Sequence, residues 1–154
     1  MTVLISERKG ASPSGFRPGR TPFEETLQRS TVVVIALPLS SSTTSLLSTD
    51  EFALMRPDAL VINVARGGIV DEAALTLALK DKRIAGAATD VYEKEPAGKE
   101  NVLVRVAEEE GVKGRLILSP HVAWYARSSI EKLRRVMGEN VDSWAKGVPM
   151  NLVE

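Results

Sequence analysis

Residues 60–75, LVINVARGGIVDEAAL, decide how this chain is to be read. They open with an apolar run that does not alternate with polar residues, the pattern of a strand covered on both faces inside a parallel sheet. The run stops at Arg66, followed at once by Gly67 and Gly68, and Asp71 then stands as a plausible N-cap. Behind it DEAALTLALKDK sets Ala74, Leu75, Ala78 and Leu79 on one face, which predicts a crossover helix to the next strand. A rigid apolar support therefore carries a guanidinium at its tip, beside glycines that let the backbone come close to something.

Outward from this unit the same punctuation recurs. TVLIS, TVVVIAL, IAGAATDV and RLILS are short, apolar and partly β-branched, and with ALVINVA they predict the strands of an α/β fold. Near the end Ile130, Leu133, Met137, Val141 and Trp144 recur at three and four, with Glu131, Lys132, Arg134, Arg135, Glu139 and Asp142 opposite. This predicts an amphipathic helix over 127–147, stopped by Gly147 and Pro149. The Gly, Pro and Ser content of KGASPSGFRPGRTP predicts a loop, as does SSSTTS after Pro38.

Composition removes several classes of function. The 154 residues are 44% hydrophobic, enough for a core in one domain. Twenty basic and twenty acidic residues are interspersed, so the massed positive charge of a nucleic-acid binder is missing. With no cysteine, thiolate metal sites, disulfides and cysteine nucleophiles are excluded, and a single histidine excludes a histidine-rich metal site. No apolar run is long enough for a membrane helix, and MTVLISERKG lacks the features of a signal peptide, so the expected compartment is the cytoplasm.

Three predicted strand ends carry polar functions. Arg66 follows ALVINVA, Asp90 ends IAGAATD with Glu95 beyond it, and His121 follows LILSP. Open α/β sheets bind ligands outside the carboxyl ends of their strands. Each residue alone has an ordinary alternative: a surface ion pair for Arg66, a turn cap for Asp90, a solvated charge for Glu95, a loop histidine for His121. Together, an arginine fork for a carboxylate, an imidazole acid/base and an acid to orient it are the parts of a site that interconverts a carbonyl and an alcohol.

The runs MRPDALVINVARGGIVD, ATDVYEKEP and SPHVAW resemble the D-isomer-specific 2-hydroxyacid dehydrogenases, nearest their glycerate dehydrogenase and hydroxypyruvate reductase branch, and the likeness extends from Val3 onward. The resemblance implies that Arg66 binds the carboxylate and carbonyl of a small 2-keto or 2-hydroxy acid, that His121 exchanges the hydroxyl proton, and that Glu95 pairs with His121. It implies cofactor contacts from Asp90 at the nicotinamide end, from Leu37 and Pro38 around the adenosine, and through the backbone of Val64 and Ala65. Ala123 and Trp124 would flank the nicotinamide and substrate, although a tryptophan there is as readily a core residue. Glu7 would accept the adenosine ribose hydroxyls, which favours NAD over NADP. Arg8 and Lys9 beside it could still accommodate a 2′-phosphate.

The family's G-x-G-x-x-G does not occur, since Gly10, Gly15 and Gly19 have the wrong spacing. The expected architecture is thus an incomplete Rossmann-type, doubly wound parallel sheet lacking its first βα unit. Residues 1–154 would form a partial NAD-binding domain with the helix 127–147 and without the substrate domain. The TVLIS strand then either closes against the next strand, is displaced, or leaves a gap for a companion chain or a homodimer partner. The isolated chain is expected to bind NAD weakly and to reduce no hydroxypyruvate. The competing expectation is a non-catalytic NAD-sensing corepressor or an interaction protein of the same fold. Formate dehydrogenase, a further relative, has glutamine in place of Glu95.

Overall fold

The computed structural model describes residues 1–152. Its elements form two compact units, Met1–His121 and Val122–Glu154.

The first unit is a four-stranded parallel sheet in the order β1-β2-β3-β4, built from Val32–Ile35, Leu60–Asn63, Gly86–Thr89 and Leu116–Leu118. Helices α1 (Phe23–Arg29), α2 (Thr49–Leu54), α3 (Glu72–Lys80) and α4 (Val102–Val106) accompany the strands. Strands laid down in sequential order by right-handed crossovers place their connecting helices on one face. The register shows that face. Val33, Val61, Ala87 and Leu116 form one row across the sheet, and the latter three are buried. They pack with Phe52, Leu47, Met55, Ile69, Leu79, Ile84 and Leu103, each nearly inaccessible and each contributing about 1.5–3 kcal/mol by burial. The adjacent row, Val34, Ile62, Ala88 and Ile117, points to the other face. There Val32, Val34, Leu60 and Ile117 are exposed. The helices form one layer of the doubly wound arrangement.

Local chemistry explains the helix that the sequence makes plain. The Asp71 carboxylate accepts the Ala74 N–H at 2.9 Å and caps α3, whose Ala74, Leu75, Ala78 and Leu79 are all buried. Periodicity does not reveal α1, α2 or α4, which have five to seven residues. Their end signals are present nevertheless: the Glu51 carboxylate accepts the Ser48 N–H at 3.1 Å, and Asn101 Oδ1 accepts the Leu103 N–H at 2.9 Å.

One expected strand is not a strand of the sheet. TVLIS makes only an isolated bridge, Ser6 to Thr21, with Glu7 N–H donating to Thr21 and Thr21 N–H to Ile5. β1 pairs with β2 alone. TVLIS is therefore displaced rather than closed against β1, and without a ladder partner its apolar pattern cannot define a strand.

The second unit contains α5 (Arg127–Ala145), with Lys146 as C-cap and Gly147 in the left-handed region at φ 74°. The predicted helix 127–147 is thus present to within two residues. No residue of α5 is buried, and Leu133, Met137, Val141 and Trp144 are all exposed.

Candidate active site

In a parallel sheet all four carboxyl ends lie along one edge, and each here runs into a predicted functional segment. β1 leads to Leu37 and Pro38, β2 to Val64, Ala65 and Arg66, β3 to Asp90 and Glu95, and β4 to His121.

The arginine turn is built by Asn63, the last residue of β2. Its buried amide accepts the Ala65 N–H at 3.1 Å and donates to the Arg66 carbonyl at 2.9 Å, closing the turn. Gly67 explains the glycines. A Cβ at this position would lie 1.8 Å from the Tyr92 carbonyl oxygen, so the approach of the β2 turn to the β3 loop admits only a hydrogen. Arg66 itself is exposed and donates from Nη1 to the Ala65 carbonyl at 2.6 Å. No ion pair among the described residues involves it.

The β3 loop is held from several sides. The buried Glu72 carboxylate accepts the Glu93 N–H at 2.8 Å and the Asn101 Nδ2–H at 2.7 Å. Tyr92 is buried, and its hydroxyl donates to the Ser119 carbonyl at 3.0 Å, tying the β3 loop to the end of β4. Burial, with the charges of Asp90, Glu72 and Glu95, pushes the Tyr92 phenol pKa up, so it stays a donor. Asp90 is 4% exposed and accepts from the Ser119 hydroxyl.

Glu95 and His121 meet across this frame. Glu95 Oε2 lies 2.7 Å from His121 Nδ1, while Oε1 accepts the Tyr92 N–H at 3.0 Å. The His121 hydrogen bond first, and the Tyr92 N–H second, hold the Glu95 carboxyl below its ordinary value. A carboxylate has only acceptors, so Nδ1 carries the hydrogen of this bond. His121 adopts φ 55°. This left-handed conformation costs a residue with a side chain about 1–2 kcal/mol. Such strain gathers at functional sites.

Leu37, Pro38 and Val64 are exposed at the ends of β1 and β2. Ala65 is half-buried. Glu7 is buried, and its carboxylate is bound by Arg17. Trp124, in the second unit with Ala123, is half-exposed and meets Tyr125 edge to face, centroids 5.5 Å apart. Sequence reasoning missed Asn63, Glu72, Tyr92, Ser119 and Arg17. An asparagine inside an otherwise apolar strand was a readable signal for the first.

A parallel α/β sheet with its polar functions gathered at the carboxyl ends of the strands is the arrangement of a nucleotide-dependent enzyme domain of Rossmann type. Residues 1–123 match the NAD binding domain of the D-isomer specific 2-hydroxyacid dehydrogenases, and the chain belongs to that family. It is 37% identical over 136 residues to the glycerate dehydrogenase of Methylorubrum extorquens, a match that covers 88% of this chain and 42% of that protein. The NAD-complexed D-isomer specific 2-hydroxyacid dehydrogenase of Lactobacillus delbrueckii ssp. bulgaricus superposes with a TM-score of 0.75 at 25% identity, covering 98% of this chain and 48% of that one. An acyclic imino acid reductase in complex with NADPH and D-arginine also gives 0.75, at 28% identity and over 93% and 44% of the two chains. The chain spans less than half the length of these proteins. Among the described residues no cluster of side chains suits a metal ion, and no helix is long and apolar enough to cross a membrane.

Proposed function

We propose that the chain carries the catalytic half of an NAD-dependent 2-hydroxyacid dehydrogenase acting on a small 2-keto or 2-hydroxy acid such as hydroxypyruvate, glycerate or glyoxylate. The observation that carries this reading is the Glu95–His121 pair at 2.7 Å on the strand-end edge that also bears Arg66.

The donor set fits the cofactor. A nicotinamide carboxamide would offer N–H groups to the buried carboxylate of Asp90, the adenosine ribose would lie at Glu7, whose carboxylate Arg17 binds, and Leu37, Pro38 and the Val64–Ala65 backbone would give the cofactor a partly apolar floor. When bound, the nicotinamide supplies or accepts the hydride. In this reading the chain's own residues do the rest. Arg66 clamps the substrate carboxylate with its planar fork and polarises the neighbouring carbonyl. His121 gives a proton from Nε2 to the carbonyl oxygen during reduction and takes it back during oxidation. Glu95 fixes the ring through Nδ1 and compensates its charge when protonated. Soluble assembly in the cytoplasm, as a homodimer or with a companion chain, belongs to the same proposal.

A second reading, a non-catalytic NAD-sensing or interaction protein, draws on the exposed apolar residues Val32, Val34, Leu60 and Ile117 of one sheet face. The two are separated by fusing the amino-terminal portion of the Methylorubrum relative ahead of Met1 and following hydroxypyruvate-dependent loss of NADH absorbance. Turnover that falls in Arg66→Lys and His121→Asn supports the enzyme. Saturable NADH binding without turnover supports the sensor.

A further inference from the structure

The carboxylate of Glu7 is not open to a ligand in the way an unpaired acid would be. It is 5% exposed, and every acceptor direction is engaged: Oε1 accepts Arg17 Nη2–H at 2.6 Å and the Arg8 N–H at 2.9 Å, and Oε2 accepts the Arg17 N–H at 3.0 Å and Nε–H at 3.1 Å. The guanidinium that does this comes from the loop of residues 8–20, which turns through Gly10 and Gly19, both in the left-handed region at φ 74° and 76°. The same loop brings further positive charge. Arg20 Nη1 donates to the Ser6 carbonyl at 3.1 Å, Lys9 reaches Glu51 at 2.7 Å, and Arg8 is exposed with no ion pair among the described residues. Around Glu7 and Glu51 there are thus four cations, Arg8, Lys9, Arg17 and Arg20, and the balance is positive.

A carboxylate at the adenosine ribose selects NAD by two effects: it accepts the ribose hydroxyls, and its charge repels a 2′-phosphate. Arg17 weakens both, because its fork occupies the lone pairs and neutralises the charge. Half of the Arg17 side chain remains exposed, and Arg8 is exposed as well. From this geometry we infer that Arg17 sets the cofactor specificity of the chain, and that with Arg17 on Glu7 the adenosine end accepts a 2′-phosphate monoester alongside the unphosphorylated ribose. Of Arg8 and Lys9, the two cations that the sequence sets beside Glu7, Lys9 is engaged by Glu51. The inference rests on the reading of Glu7 as the adenosine-ribose residue.

The test is calorimetric titration of the full chain with adenosine 2′,5′-bisphosphate and, separately, with 5′-AMP, which differ by the 2′-phosphate alone. The parent should bind the bisphosphate at least as tightly as AMP. Arg17→Gln should lower the bisphosphate-to-AMP affinity ratio at least tenfold, and Glu7→Gln on that background should restore most of it. Arg17→Lys keeps the charge and should hold the ratio within about threefold of the parent, the smaller change expected when a point charge replaces a fork. It serves as the second test should the Gln variant not fold. A ratio unchanged by Arg17→Gln, a ratio lost in Arg17→Lys, or a parent that rejects the bisphosphate tenfold overturns the inference and leaves the dehydrogenase reading standing. Binding of neither ligand by parent or variant overturns the inference and the assignment of Glu7 together.

Discussion

Gly67→Ala tests the construction of the site without touching any group that does chemistry. Gly67 does not have a positive φ, so alanine is compatible with its backbone and the whole effect comes from contact. The new Cβ would stand 1.8 Å from the Tyr92 oxygen, 2.0 Å from its carbonyl carbon and 2.7 Å from the Glu93 nitrogen. Those are backbone atoms, unable to swing aside as a flexible side chain does. Relief requires the loop peptide to retreat by about 1.5–2 Å to reach ordinary contact. Overpacking of this kind costs about 1–3 kcal/mol. The retreat also stretches the Glu93 N–H to Glu72 and Tyr92 N–H to Glu95 bonds, which measure 2.8 and 3.0 Å. Bonds to charged groups contribute about 1.5–3 kcal/mol each, so partial loss brings the expected total to about 3–5 kcal/mol. Gly68→Ala is the control. Its Cβ meets nothing nearer than Leu39 at 3.7 Å, but φ is 78°, so about 1–2 kcal/mol of backbone strain is its only cost. Urea unfolding with unchanged slope measures both. A Gly67→Ala midpoint equal to or above that of Gly68→Ala would refute the close approach as the reason for the glycine.

Glu72→Ala removes the acceptor for the Glu93 N–H and the Asn101 amide and should destabilise the chain by about 2–4 kcal/mol in the same assay, with Glu72→Gln intermediate. Arg17 and the Arg8 and Arg17 N–H groups lower the Glu7 pKa to about 2, from 4.5. A depressed folded-state pKa adds stability that is present above the unfolded value and lost as pH falls through the folded one, so unfolding should become easier between about pH 4.5 and 2. Glu7→Gln should flatten that part of the curve. In the fused chain Glu95→Gln removes the charge beside Nδ1 and should move the pH profile of reduction to lower pH, whereas an unchanged profile would remove the pairing from the mechanism. The open β1 edge and the exposed Val34 and Ile117 should make the chain self-associate, and Val34→Lys should reduce this in light scattering.

The legible parts of this molecule are those with redundant signals. ALVINVARGG reads as strand and turn from its apolar run, its glycines and the capping Asp71 together, and β2, the turn and α3 follow. The Glu95–His121 pair was legible through the family resemblance of ATDVYEKEP and SPHVAW, with both residues beyond strand ends. TVLIS misled because apolar, β-branched residues describe a surface suited to pairing without supplying the neighbour. The small helices α1, α2 and α4 are too short for a periodicity and announce themselves only through end residues such as Ser48, Glu51 and Asn101. Arg17 lay in a segment read correctly as a loop, and nothing in a loop's composition tells which of its cations folds back ten residues onto Glu7. The reason for Gly67 was likewise half visible: a close approach to something was expected, and the structure shows that it is the Tyr92 peptide.

The central claim is that His121, held by Glu95, exchanges the proton of a 2-hydroxy acid, and the most direct measurement is the turnover of His121→Asn in the fused chain with hydroxypyruvate and NADH. Loss of general acid catalysis predicts kcat lower by about 10²–10⁴-fold, with KM and the urea midpoint close to those of the parent. An unchanged kcat, or a loss that tracks a fall in stability, would contradict the account and leave His121 a structural residue of the β4 end.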